Sequence, residues 1–388
     1  MNKSVRMSLL KKRISVFLAV LMFVNLFRFA AYAAPDVSAQ GAVLMCANSG
    51  EVLFSKNGNK KLSMASTTKI MTSLLALESP SPDAEIKVTD EMVRVEGTSM
   101  GLHAGDSVSL RELVYGMLLQ SGNDAANAAA LFLGGSIEGF AEMMNSRAKQ
   151  IGMKNTSFVT PSGLDDDNHY STAYDMALLA AECIKNPEFA HICAQKRATL
   201  TYGNPPYLRT LTNHNRLLQM YEDSVGIKTG FTKKSGRCLV SAAERNGIIL
   251  VAVTLKAPDD WNDHIALFEY GYSKCKGIEL TCDLSGVMLS VAGGVKNSVS
   301  VTLSETARWI EGKEANVRIL MQPMVYAPIN KGDIVGKAVF ESNGKTVSES
   351  FLLAAENVEV KHITETQQTK INKFSALIEK IKDFLEVN

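Results

Sequence analysis

Residues 237–255 read RCLVSAAERNGIILVAVTL. Two apolar runs meet at Arg245-Asn246-Gly247, and Asn-Gly between hydrophobic runs is a strong hairpin signal because the tight turn needs positive φ. The stretch therefore predicts two antiparallel strands. Lys228-Thr229-Gly230 lies a few residues upstream, on an expected edge strand. Near the other end, 42–47 and 51–55 predict two more strands around Asn48-Ser49-Gly50. Helical patterns lie between these strands. Ser63 is the expected N-cap of a helix whose apolar face is Ile70, Met71, Leu74, Leu75 and Leu77. Ser109 and Glu112 form a capping box at the start of a helix over 109–119. Further helices are expected over about 136–151, 173–185 and 262–271. Helices on both sides of hairpins predict a layered α+β domain with an antiparallel sheet between helices.

After about residue 275 the texture changes. Val287–Val291, Ser298–Leu303, Val317–Met321, Ile334–Phe340 and Ser350–Ala354 are short β-rich runs separated by Gly, Asn and Lys turns. They predict a small all-β domain. The last segment, 362–388, reads as a polar linker and then a helix. Ile371, Phe374, Leu377, Ile378, Ile381, Phe384 and Leu385 fall at spacings of three and four, on one face. The run is too short and too charged to cross a bilayer.

The chain has 388 residues, 46% hydrophobic and 21% charged, with a net charge of +1. That is enough for two domains with their own cores. There is no basic excess to point to nucleic acid. The charge is unevenly spread, since residues 1–33 hold six Lys and Arg and no acid. Without them the net charge is −5. The basic start, the apolar run Ile14–Phe27 and the small residues Ala31 and Ala33 form the three-part layout of a cleaved secretory signal. The mature chain is then expected at residue 34, outside the cytoplasmic membrane. Six Cys in such a protein could form bridges. Cys46, Cys183 and Cys238 sit in apolar runs, and mostly buried thiols are expected, with Cys275 and Cys282 the best-placed pair should a bridge form. No Cys/His group has metal-ligand spacing.

Three short motifs carry chemistry. Ser66-Thr67-Thr68-Lys69 places a hydroxyl and an amine at i and i+3, on one helix face. A Lys can take the serine proton when burial and nearby positive charge lower its pKa. Unpaired N–H groups of the first turn are suited to an oxyanion. Ser121-Gly122-Asn123 sets a hydroxyl and an amide two residues apart on a post-helix loop. Lys228-Thr229-Gly230 offers a cation and a hydroxyl for a carboxylate, beside a glycine that leaves room against the backbone. Each motif alone is common. Together, in this order, they are the S-x-x-K, S-D-N-type and K-T-G set of penicillin-binding proteins and class A β-lactamases.

The chain resembles the low-molecular-mass penicillin-binding proteins, the serine D-alanyl-D-alanine carboxypeptidases. The resemblance runs from about residue 35 to the C-terminus. It includes Pro161-Ser162-Gly163-Leu164-Asp165 with His169 and Ser171-Thr172-Ala173, and Asn213-His214-Asn215-Arg216-Leu217. It also includes Gly226–Thr232 with Gly236–Val240, and Ala327-Pro328-Ile329 with Lys331-Gly332. It implies a penicillin-recognising, β-lactamase-like domain over 34–275, a β domain over 276–361 and a tail that lies on the membrane. It implies that Ser66 is the acylated nucleophile, Lys69 its base and Ser121 a proton relay. Asn123, Lys228, Thr229, Gly230 and Phe231 would form the substrate-binding group, with the N–H groups of Ser66 and Phe231 as the oxyanion hole. The implied substrate is a peptidoglycan stem peptide ending in D-Ala-D-Ala, with β-lactams as inhibitors and no metal or cofactor.

One departure stands out. Many members carry an Arg shortly after the K-T-G hairpin, whereas Ala257-Pro258-Asp259-Asp260-Trp261-Asn262-Asp263 has none. Carboxylate recognition then rests on Lys228, Thr229 and Arg237. Asp124 reads as a helix-start residue, and His169 as a loop-packing residue. His103 and His264 are lone. A β-lactamase would need a deacylating Glu in the loop that here holds Asp165, Asp166 and Asp167. A non-catalytic wall-binding relative would have no reason to keep all three motifs intact.

Overall fold

The computed structural model describes residues 34–280, 282–342, 344–361 and 374–378. The expected signal, 1–33, lies outside the described residues, as does most of the tail. The chain divides into two compact units, up to Lys276 and from Gly277 onward.

The first unit is built on a five-stranded antiparallel sheet. Its strands are β1 (Gly41–Cys46), β2 (Glu51–Lys56), β3 (Ser224–Thr232), β4 (Gly236–Arg245) and β5 (Ile248–Leu255), in the order β2-β1-β5-β4-β3. The hairpin at 245–247 forms in the expected place, with Asn246 and Gly247 both at positive φ. Side chains alternate across a strand, and both faces of this sheet are covered, which is why its strands read as unbroken apolar runs. Val43, Met45, Val240, Val251 and Val253 face the main helical core. That core includes α1 (Lys69–Leu77), α2 (Leu110–Leu118), α3 (Asn123–Gly134) and α4 (Ala173–Cys183).

The opposite face is covered by α5 (Asp260–Lys274). A Cβ on Gly271 of α5 would come within 2.6 Å of Leu250 and 2.8 Å of Leu44, so the helix packs closely on the sheet at this glycine. His264 of α5 is buried between Ser241 and Thr254 and bonds both hydroxyls. It is a satisfied core histidine. The helix α2 has its capping box, with Ser109 and Glu112 bonded reciprocally.

Two expectations need correction. Ser63 does not cap the first helix. The chain enters it through a tight 3-10 turn, Ala65–Thr68, with Ala65 at φ 47°. The Ser63 hydroxyl is thereby carried off to Asp165, 3.3 Å away. The Cys275–Cys282 bridge is also absent, since all six cysteines are free. Five of the six are buried, as the apolar runs around Cys46, Cys183 and Cys238 predict.

The second unit is all β over its described residues between 277 and 361. Its main sheet contains β6 (Met288–Ala292), β7 (Ser298–Leu303), β8 (Asn316–Met321), β9 (Met324–Tyr326), β10 (Ile334–Ser342) and β11 (Lys345–Ala354), in the order β8-β10-β11-β7-β6-β9. Leu289, Val299, Ala338, Phe340 and Leu352 form its core. In the tail, 374–378 is helical with Phe374, Leu377 and Ile378 exposed.

Candidate active site

The 3-10 turn that displaces Ser63 is what presents Ser66. Ala65 occupies the left-handed region, which a residue with a Cβ adopts at a cost, and Ser66 follows at the mouth of a cleft of about 410 Å3. Lys69 opens α1, and its side chain is completely buried. Its amine donates to Ser66 Oγ at 2.9 Å and to the Ser162 carbonyl at 2.8 Å. Burial lowers the Lys69 pKa well below that of a free lysine, and the neighbouring charge of Lys228 lowers it further, while Asp124 acts in the opposite sense. A buried amine with one hydrogen bond to a serine hydroxyl can accept its proton.

The loop that supplies the Ser162 carbonyl is locked from below. Thr72 of α1 donates to the Pro161 carbonyl at 2.6 Å. Gly163, at φ 84°, packs so close to the Ala65 carbonyl that a Cβ would sit 1.9 Å from it. His169 is buried against the same turn. Its Nδ1 accepts from the Val159 N–H at 3.0 Å, which leaves Nε2–H to donate to Thr68 Oγ at 2.8 Å. Burial pushes His169 down to about 4, so it is a neutral packing residue, as the sequence led us to expect.

The second motif reaches the cleft from the loop between α2 and α3. Ser121 sits at φ 62° and lines the cleft. Asn123 donates from Nδ2 to the Glu96 carbonyl at 2.6 Å, while its Oδ1 is buried without a hydrogen-bond partner. An orphaned buried acceptor is costly, and neither Asn123 nor Lys228 is among the residues that line the cleft. Asp124 does more than begin a helix. Its carboxylate accepts from the backbone N–H groups of Met100 at 2.9 Å and Leu102 at 3.0 Å. It thus fixes the segment that brings Thr98, which sequence reasoning missed, to the cleft.

The third motif lies on β3, an edge strand as expected. Lys228 is buried, donates to the Thr229 carbonyl at 2.8 Å, and is pushed down to about 7 by burial. Thr229 and Phe231 line the cleft. Gly230 faces the nucleophile turn, where a Cβ would lie 3.0 Å from the Met64 carbonyl and 3.1 Å from the N–H nitrogens of Ser66 and Thr67. The structure thus brings Ser66, Ser121, Thr229, Gly230 and Phe231 to one cleft, with Lys69 bonded to Ser66. His214, Arg216, Arg237, Asp260 and Trp261 join them at the rim. The three aspartates of the 165–167 loop are used elsewhere. Asp165 accepts from Thr232 at 3.0 Å, Asp166 from the Asn168 N–H at 2.7 Å, and Asp167 pairs with Lys234 at 2.6 Å.

A buried lysine bonded to a serine in the turn that leads into a helix, facing the edge strand of an antiparallel sheet, is the arrangement of the penicillin-recognising serine enzymes. The likeness extends to solved structures. Penicillin-binding protein 5 from Haemophilus influenzae matches with a TM-score of 0.59 at 30% identity, covering 84% of this chain and 99% of that one. The Streptomyces K15 DD-transpeptidase matches with the same TM-score at 30% identity, covering 62% and 99%. Residues 29–259 match the D-alanyl-D-alanine carboxypeptidase family, peptidase S11, and 284–360 match the C-terminal domain of penicillin-binding protein 5. The chain is 36% identical to the D-alanyl-D-alanine carboxypeptidase DacC of Escherichia coli over 84% of this chain and 86% of the relative. It is 33% identical to DacF of Bacillus subtilis over 82% and 86%. The chain belongs to the peptidase S11 family of D-alanyl-D-alanine carboxypeptidases.

Proposed function

We propose that catalysis runs through an acyl-enzyme on Ser66, with Lys69 as the base. The enzyme is a serine-type D-Ala-D-Ala carboxypeptidase, a hydrolase and penicillin-binding protein that acts on peptidoglycan stem peptides outside the cytoplasm. In the reading we favour, the Lys69 amine takes the Ser66 proton as Oγ attacks the carbonyl of the terminal D-Ala-D-Ala bond. Ser121 passes that proton to the departing amine of D-alanine. Water then attacks the acyl-serine ester, returns the proton to the site and frees Ser66. The N–H groups of Ser66 and Phe231 would hold the oxyanion. Asn123 Oδ1 would accept a substrate amide N–H, and Lys228 and Thr229 would keep the cleft suited to a carboxylate. The observation that carries this is the 2.9 Å contact between Ser66 Oγ and a wholly buried Lys69 amine whose pKa is lowered.

We read residues 34–275 as the catalytic domain, 276–361 as a β domain and 1–33 as a removed signal. Residues 362–388 would be a linker and a helix lying on the outer face of the membrane. The apolar face of that helix supports this, as does the exposure of Phe374, Leu377 and Ile378. The test is release of D-alanine from diacetyl-L-Lys-D-Ala-D-Ala by the mature chain, with loss of release on Ser66→Ala. D-alanine release by the Ser66→Ala variant would contradict the assignment.

A further inference from the structure

Arg237 is the second residue of β4, directly opposite Phe231 on β3. Paired residues of antiparallel strands share a face, so Arg237 stands on the same side of the sheet as Phe231 and Thr229, at the rim of the cleft that holds Ser66. Its guanidinium is anchored. Nε and Nη2 donate to Asp260 Oδ1 at 3.0 and 2.7 Å. The guanidinium carbon lies 5.4 Å from the centroid of the Trp261 ring. The Asp260 side chain is only 3% exposed, whereas that of Arg237 is 41% exposed. Nη1 makes no hydrogen bond among the described residues, so part of the fork is left for a ligand.

The chemistry of the cleft needs such a group. A peptide ending in D-alanine presents a free carboxylate. Of the cations close to Ser66, Lys69 and Lys228 are both buried and both pushed toward the neutral form. An arginine keeps its charge at any working pH, and its planar fork matches a carboxylate. A second arginine, Arg216, lines the same cleft, but among the described residues no acidic side chain holds it there.

We propose that Arg237, set in place by Asp260 and Trp261, binds the free C-terminal carboxylate of the substrate and makes the enzyme prefer a chain end to an internal bond. Asp260 is a positioning residue. It receives two of the guanidinium's N–H groups and fixes the angle at which the rest are offered. This inference rests on the reading of Ser66 as the acylated residue.

The test compares diacetyl-L-Lys-D-Ala-D-Ala with the same peptide bearing a C-terminal amide, for the wild type and for Arg237→Gln, Arg237→Lys, Asp260→Asn and Arg216→Gln. The wild type should prefer the acid. Arg237→Gln should lose about 10- to 100-fold in kcat/KM on the acid, the size of a lost charge-assisted hydrogen bond, and lose far less on the amide. A thermal melt like that of the wild type checks that the variant is folded. Arg237→Lys should recover part of the preference, and Asp260→Asn should raise KM for the acid more than it lowers kcat. Loss of both substrates in equal measure by Arg237→Gln would overturn the proposal. So would collapse of the preference in Arg216→Gln alone, or a wild type that is acylated by penicillin on Ser66 yet does not distinguish acid from amide. A wild type that penicillin does not label would overturn the Ser66 reading and this inference with it.

Discussion

Two lysines determine the character of the site. Lys69 is held down first by its burial and then by the charge of Lys228. Three consequences follow from this. Lys69→Arg keeps the charge permanently and cannot act as a base, so penicillin acylation should fall at least about 100-fold, the lower end of what a general base contributes. A Lys69→Arg enzyme acylating near the wild-type rate would refute that role. The pH profile is equally specific. Acylation needs the neutral amine, so its rate should rise with pH along an acidic limb well below the pKa of free lysine. Lys228→Gln removes a charge that lowers Lys69, which lets the Lys69 pKa rise and should move that limb to higher pH. A limb that stays in place, or moves lower, would show that Lys228 does not act on Lys69.

At the scale of elements, the site is a close approach between a turn and a strand. Gly230 of β3 is pressed against Met64, Ser66 and Thr67. Gly230→Ala should force β3 away from the nucleophile turn. We expect a cost of about 1–3 kcal/mol from overpacking, and a fall in acylation of at least about 10-fold as the oxyanion donors separate. Thermal melting and fluorescent-penicillin labelling measure the two effects, and a fully active Gly230→Ala would mean that the spacing is not critical. Much of this arrangement was legible in the sequence. Asn246-Gly247 marked the hairpin, Ser109 and Glu112 marked a helix start, and the three motifs lay on the expected kinds of element. The misreadings also have physical causes. Ser63 looks like a cap because capping is a local pattern, but the turn after it is set by packing against Gly163 and Gly230, which lie far away in sequence. Thr98 carried no signal because it reaches the cleft only through the hold of Asp124 on the backbone of Met100 and Leu102. The pairing of Arg237 with Asp260 joins residues 23 apart, and neither alone reads as a site.

At the scale of the whole molecule, the proposed membrane role of the tail makes a prediction of its own. Residues 370–388 carry four Lys and three acids, so on that proposal attraction to anionic lipid would be weak and the apolar residues would have to supply most of the affinity. Among the described residues no helix is long and apolar enough to cross a membrane. Truncation before Thr364 should move the mature enzyme from the membrane fraction to the soluble one, with unchanged activity on a small D-Ala-D-Ala peptide. High salt should leave the full-length enzyme in place. A truncated enzyme that stays on membranes, or an intact one stripped by salt alone, would rule the tail out as the anchor.

The central claim, a covalent acyl-enzyme on Ser66, is tested most directly by incubating the full-length chain with penicillin and mapping the adduct by peptide mass spectrometry. The account predicts one penicilloyl group, long-lived, on the peptide containing Ser66, and none on the Ser66→Ala protein. An adduct on another residue, rapid turnover of the drug without an accumulating adduct, or no adduct at all would contradict it.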